Sequence, residues 1–197
     1  MTEEKENITD AFFSSYGDKI YYCIATSYGK HSPVGRAQAH GMDIYSIDIN
    51  TKKKEKISNW NSYSINKISE ADSISLFVGI NGDEEGGIFK FLKNMPDKLT
   101  RIIPANNPRE FANLYYQPLY SNEHGFLAFT APYELYVMDL KDNIAIPLVN
   151  FTAQKNVDGF AFCNTQKKMV FNFEDDLNLY TINLDGSDLT KIPILIK

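Results

Sequence analysis

Cysteine is almost absent from this chain of 197 residues, which carries Cys23 and Cys163 and no others. Two cysteines are too few for a disulfide framework, and neither stands in the C-x-x-C or Cys/His spacing of a zinc site. Both read as small buried hydrophobes. Positive charge is thin as well. Against 25 Asp and Glu stand 20 Lys and Arg, a formal net charge of -5 with no basic stripe. That distribution excludes the surface a phosphate backbone requires, so nucleic acid is not an expected partner. The one basic run, Lys52, Lys53, Lys54 and Lys56, sits beside Asn50 and Thr51 and reads as a solvated hairpin turn. Long apolar runs are missing: none reaches the roughly 18 residues of a membrane-spanning helix, so no membrane insertion is expected. The opening MTEEKENITD has neither a basic n-region nor an apolar h-region. It places the protein in the cytoplasm if Met1 is the natural start, and in the periplasm or outside the cell if a signal peptide has been removed. No metal or nucleophile signature is present, so neither a cofactor nor a catalytic residue is expected.

Aromatic and β-branched residues are plentiful instead, with 12 Tyr and 13 Phe set in alternating segments that suit a pleated surface. The segment Leu177 to Thr190, LNLYTINLDGSDLT, reads as a strand, a tight Asp185-Gly186 turn and a second strand. Similar hairpins occur upstream around Tyr45, Phe89 and Tyr136, so with Tyr180 the aromatics recur at spacings of 44, 47 and 44 residues. Polar turns follow each first strand, at Asn50-Thr51, Asn94-Met95-Pro96-Asp97, Lys141-Asp142-Asn143 and Asp185-Gly186-Ser187. Before every hairpin lies another strand pair, at 11–25, 65–79, 116–130 and 159–173. Four short strands in a unit of about 40–50 residues are the signature of a β-propeller blade. The expected fold is all-β: a single domain over residues 1–197 of four four-stranded antiparallel blades, at about 8–58, 60–104, 112–150 and 156–195. It forms either a closed small ring or half of a larger propeller. Unclosed, the outer faces of blades one and four imply a homodimer or a piece of a longer propeller.

Ser15-Tyr16-Gly17-Asp18 with Ile20, Asp43-Ile44-Tyr45 with Asp48, Leu135 to Leu140, and Asp185-Gly186 with Leu189-Thr190 carry a further indication. In these pieces the chain resembles the TolB-like, WD-like propeller repeats, over about residues 8–195. The resemblance implies a scaffold for protein–protein contact. Related propellers also gate prolyl oligopeptidase-like enzymes, whose separate hydrolase domain carries a G-x-S-x-G elbow that this sequence lacks.

Loops between strands two and three of each blade, and between blades, emerge on one face and are the natural place for recognition. Sequence length is concentrated in blade one, at Ser27 to Gly41, and next in blade two, at Asn81 to Gly87, whereas blades three and four make near-minimal turns at Ala131-Pro132 and Glu174 to Asp176. A ligand-binding patch is therefore expected from His31, Arg36, His40, Trp60, Asp83, Glu84 and Glu85. Tyr115, Tyr116 and Phe111 read as core aromatics or as a stacking platform for a sugar or peptide. Asp185 and Asp188 read as turn residues. The leading function is non-catalytic binding of a protein or peptide on the loop face. The alternatives are a propeller-type hydrolase or lyase acting on a glycan or peptide, and a gating fragment of a larger peptidase.

Overall fold

Period-two alternation of apolar and polar residues becomes sixteen strands in the computed structural model, which describes residues 7–30, 37–81, 86–106, 114–150, 155–163 and 165–193. Blade one holds β1 (Asn7–Phe13), β2 (Lys19–Lys30), β3 (Ala37–Asp48) and β4 (Lys54–Lys56). Blade two holds β5 (Ser64–Asp72), β6 (Ser75–Asn81), β7 (Gly87–Leu92) and β8 (Met95–Arg101). Blade three is β9 (Tyr116–Ser121), β10 (Phe126–Ala131), β11 (Glu134–Asp139) and β12 (Ile144–Asn150). Blade four is β13 (Val157–Phe162), β14 (Lys168–Phe173), β15 (Asn178–Asn183) and β16 (Thr190–Pro193). Each blade is an antiparallel meander in chain order, and the four are arranged as a propeller.

Because successive residues of a strand face opposite sides, each inner blade offers one apolar row to the blade before it and another to the blade after it. In β6, Leu76 and Val78 pack with Cys23 and Ile44 of blade one, while Phe77 packs with Leu127 and Phe129 of blade three. Ala128 and Val137 of blade three pack in turn with Met169, Phe171 and Ile182 of blade four. Among the described residues no fourth core joins blade four to blade one. The outward row of β14 shows the consequence: Met169, Phe171 and Phe173 are buried against blade three, whereas Lys168, Val170 and Asn172 are half-exposed.

All four first strands carry a bulge near their start, between Ile8 and Asp10, Ile65 and Lys67, Tyr116 and Leu119, and Val157 and Gly159. A bulge interrupts the ladder and re-aims the extra residue. The extra residues are polar, Thr9, Asn66 and Asp158, with the pair Gln117-Pro118 in blade three.

Three local expectations are corrected. Ser27 to Gly41 is not a long loop, since β2 and β3 stay paired from Ser27↔His40 out to Lys30↔Ala37 and form a projecting two-stranded ribbon. In blade two the turn lies at Lys93-Asn94, one step earlier than expected, because Leu92 pairs with Met95 and Pro96 enters β8. Pro96 is tolerated there because β8 is an edge strand, with no ladder partner beyond it. The Asp185-Gly186 turn does have the positive φ expected of its glycine, +83°, but it belongs to a wider loop: the last pair is Thr181↔Thr190. Asp185 and Asp188 are turn residues there, Asp185 Oδ1 accepting from Ser187 N at 2.9 Å.

Candidate functional site

The first strands β1, β5, β9 and β13 line a shared axis, and a cleft opens at each of its ends. At the end carrying the turns between strands one and two, a cleft of about 640 Å³ touches all four first strands. Its carboxylates are largely committed to holding blades together. Asp10 Oδ2 accepts from Ile68 N at 2.9 Å, and Glu70 Oε2 accepts from Ser15 N and Ser15 Oγ at 2.6 and 2.7 Å.

The opposite cleft, of about 520 Å³, lies on the loop face between blades two, three and four. Blade two contributes Asn66 and Asn81, blade three Tyr116, Gln117, Pro132 and Tyr133, and blade four Asn156 and Glu174. Bulges place two of these side chains, Asn66 and Gln117. Asn66 is then fixed from both ends, its Oδ1 accepting from Gln117 N at 2.9 Å and its Nδ2 donating to Asn81 Oδ1 at 2.7 Å. Asn156 is fixed likewise: its Nδ2 donates to Glu174 Oε2 at 3.0 Å and its carbonyl accepts from Glu174 N at 3.1 Å.

Three of the seven described non-glycine residues with positive φ stand at this rim. Gln117, Tyr133 and Asp175 have φ of +54°, +64° and +59°, a region that costs a non-glycine residue about 1 kcal/mol or more. Tyr133 is the most telling. It follows Pro132 in the two-residue connection between Ala131 and Glu134, where proline followed by a positive-φ residue is the type II pattern that favours glycine. A tyrosine ring, 40% exposed, is held there instead.

Of the patch expected from sequence, His31, Arg36, Asp83, Glu84 and Glu85 lie outside the described residues, as does Phe111. His40 sits in the ribbon of blade one, its ring stacked on Tyr63 at 6.0 Å between centroids. Trp60 packs against the core between blades one and two, edge-on to Phe91 at 4.9 Å, with its backbone N donating to Asp43 Oδ1 at 2.6 Å. Neither residue lines the loop-face cleft. Tyr115 is core, 1% exposed, and its neighbour Tyr116 reaches the cleft. Asn66, Gln117, Tyr133, Asn156 and Glu174 were not singled out from sequence. Their signal is a polar residue breaking the alternation just inside a first strand, in Ile65-Asn66-Lys67 and Tyr116-Gln117-Pro118.

Where the ionisation of a described carboxylate is displaced, it is displaced downward: Asp48, Glu55, Glu70, Asp72, Asp176 and Asp185. Burial pushes the Cys23 thiol far up, the neighbouring Asp10 and Asp43 adding to it, so this group stays protonated. No cluster of three metal-ligating side chains occurs among the described residues.

No family model and no curated protein sequence matches the chain. Solved structures do match its fold. One in a nidogen/laminin complex superposes with a TM-score of 0.73 at 9% identity, over 96% of this chain and 66% of that one. TolB from Acinetobacter baumannii gives 0.68 at 14% identity, over 96% and 43%. U3-55K gives 0.64 at 10% identity, over 98% and 53%. The chain thus spans no more than 66% of these structures, and identities this low establish the fold alone.

Proposed function

We propose that the chain is a non-catalytic binding module that holds an extended polypeptide segment in the loop-face cleft between blades two, three and four. The observation that carries this reading is the cleft's lining: carboxamides fixed by their neighbours beside two tyrosine rings. Carboxamides match the alternating donors and acceptors of a peptide backbone, and tyrosine offers a large contact area at small entropic cost. The carboxamides of Asn66 and Asn156 are fixed before the ligand arrives, which lowers the ordering cost of association. Loops on a rigid propeller suit such recognition. Nothing in the lining pairs a nucleophile with a base, which favours binding over the hydrolase and lyase alternatives.

Similarity to TolB in fold, together with the repeat pieces around Tyr45, Tyr136 and Gly186, supports a TolB-like scaffold role. A neighbour solved in a nidogen/laminin complex is in keeping with protein contact. The test is selection of displayed random peptides on the full chain, followed by affinity measurement with Tyr133→Ala and Asn156→Ala. Each variant is expected to weaken the selected peptide by about tenfold or more with an unchanged circular dichroism spectrum, the size of a modest hot spot. Enrichment of no peptide, or full affinity in both variants, overturns the reading.

A further inference from the structure

We infer that the cleft grips a cationic side chain, lysine or arginine, of the bound segment; this rests on the peptide-binding reading above. The argument starts from hydrogen-bond inventory. Internal bonds engage part of the donors of the lining: Asn66 Nδ2 goes to Asn81 and Asn156 Nδ2 goes to Glu174. Acceptors are left over. Glu174 is exposed, receives one side-chain bond on Oε2, and forms no ion pair among the described residues. The Oδ1 of Asn156 and the side-chain oxygen of Gln117 have no partner among the described residues, and the Gln117 amide N–H groups are open as well.

Charge points the same way. Among the described residues lining the cleft, Glu174 is the only formally charged one, and no lysine, arginine or histidine is among them. Next in sequence come Asp175 and Asp176, and Asp176 is held below the ordinary carboxylate range by hydrogen bonds from Asn178 and Tyr180, so its negative charge is kept at neutral pH. The chain as a whole is acidic, at -5. A ligand that brought a carboxylate to this rim would meet like charge, whereas an ammonium or guanidinium brings only donors.

The rings complete the chemistry. Tyr116 and Tyr133 flank the same cleft, and a tyrosine face attracts a cation within about 6 Å of its centroid. The protein already uses this contact elsewhere, where Lys93 Nζ lies 4.6 Å from the centroid of Tyr21. The strained φ of Tyr133 places a ring where glycine would be the easier residue. A carboxylate, carboxamide oxygens and aromatic faces together define a site for a cationic side chain.

The probe is a set of four fluorescein-labelled hexapeptide mixtures, degenerate except for one fixed position of Lys, Arg, Leu or Glu, titrated into the full chain by anisotropy. The Lys and Arg mixtures are expected to bind about tenfold more tightly than the Leu and Glu mixtures, with the difference shrinking as sodium chloride is raised, since salt screens exposed charge. Glu174→Gln, a surface change that leaves the core intact, is expected to abolish the preference while residual binding of all four mixtures remains. Equal binding of the four mixtures, or a preference that survives Glu174→Gln, overturns the cationic assignment and leaves the peptide reading standing. Binding of none of them overturns both.

Discussion

Lys93 Nζ lies 2.8 Å from Oε1 of Glu70, in an ion pair whose side chains are 17% and 8% exposed. The same ammonium donates to Tyr21 Oη at 2.8 Å and Ser73 O at 3.0 Å, and the other oxygen of Glu70 takes both donors of Ser15. A turn of blade one and two turns of blade two are thereby tied together. Breaking one side of a buried pair strands the other charge, so Lys93→Met is expected to cost about 3 kcal/mol in urea unfolding.

The pair also fixes a pH dependence. Burial pushes the Glu70 carboxyl up, but the hydrogen bonds from Lys93 and Ser15 outweigh it, and the group is held below its ordinary value. Burial pushes Lys93 down, but its bonds to Glu70 and Tyr21 outweigh that, and it is held above its ordinary value. The Glu70 contribution is therefore present above about pH 4.3 and lost as pH falls through the depressed folded value. The Lys93 contribution is present below about pH 10.4 and lost as pH rises through the elevated one. Thermal melts of Glu70→Gln from pH 2 to 7 are expected to show a flatter acid limb than the parent; parallel limbs would remove Glu70 from the acid response.

Gly79 is required by its neighbours and not by its backbone. A Cβ there would stand 2.1 Å from Asn66 Oδ1 and 2.8 Å from Pro118 Cδ. Asn66 cannot retreat without releasing Gln117 N, and Pro118 is fixed in the bulge of β9. Gly79→Ala is expected to lose about 2 kcal/mol by overpacking and to weaken peptide binding, because it displaces Asn66 at the cleft and Pro118 behind it. Unfolding curves with an unchanged midpoint would show that the junction between blades two and three can yield.

Asp43, 3% exposed, holds the crossover from blade one to blade two. Its Oδ1 accepts from Ser58 Oγ at 2.9 Å, Trp60 N at 2.6 Å and Asn61 N at 3.2 Å, while Lys56 reaches Oδ2 at 2.8 Å. The Lys56 contact is half-solvated and contributes little. The orphaned donors of the crossover decide the outcome, and Asp43→Ala is expected to cost about 3 kcal/mol. Trp60 is the only tryptophan, so its emission should shift to the red as the crossover loosens. Unshifted emission would place the restraint elsewhere.

The repeat was legible in the sequence because each blade writes its own alternation and its own turns, and Tyr45, Phe89, Tyr136 and Tyr180 mark a common place in the third strands. The site was legible only in part. Loop length pointed to blade one, yet the residues from Ser27 to Lys30 and Ala37 to His40 pair with one another, so length there became ribbon. The cleft instead depends on blades whose turns are short, since a two-residue turn at Pro132-Tyr133 leaves the axis open. Asn66 and Gln117 were hidden because a bulge alters where a side chain points without altering composition. Asn66 meets Gln117 across 51 positions of sequence, a proximity only the stacking of blades creates.

Tyr133 separates stability from function most cleanly. At φ +64° after a proline, it occupies the position of a type II turn that glycine fits without strain. Tyr133→Gly removes a left-handed penalty of about 1–2 kcal/mol and adds roughly 0.5–1 kcal/mol of unfolded-state entropy, so the backbone effects alone are stabilising by up to about 1.5 kcal/mol. The side chain removed is 40% exposed, so the area it buries offsets much of that gain. Tyr133→Phe, by contrast, keeps both the strain and the aromatic face. The expected pattern is a near-parental melting temperature with lost peptide binding for the glycine variant, and parental stability with retained cation preference for the phenylalanine variant. Loss of binding in both would assign the contact to the hydroxyl instead of the ring. Retained binding in the glycine variant would leave the strained tyrosine without the ligand role that its exposure and backbone conformation indicate.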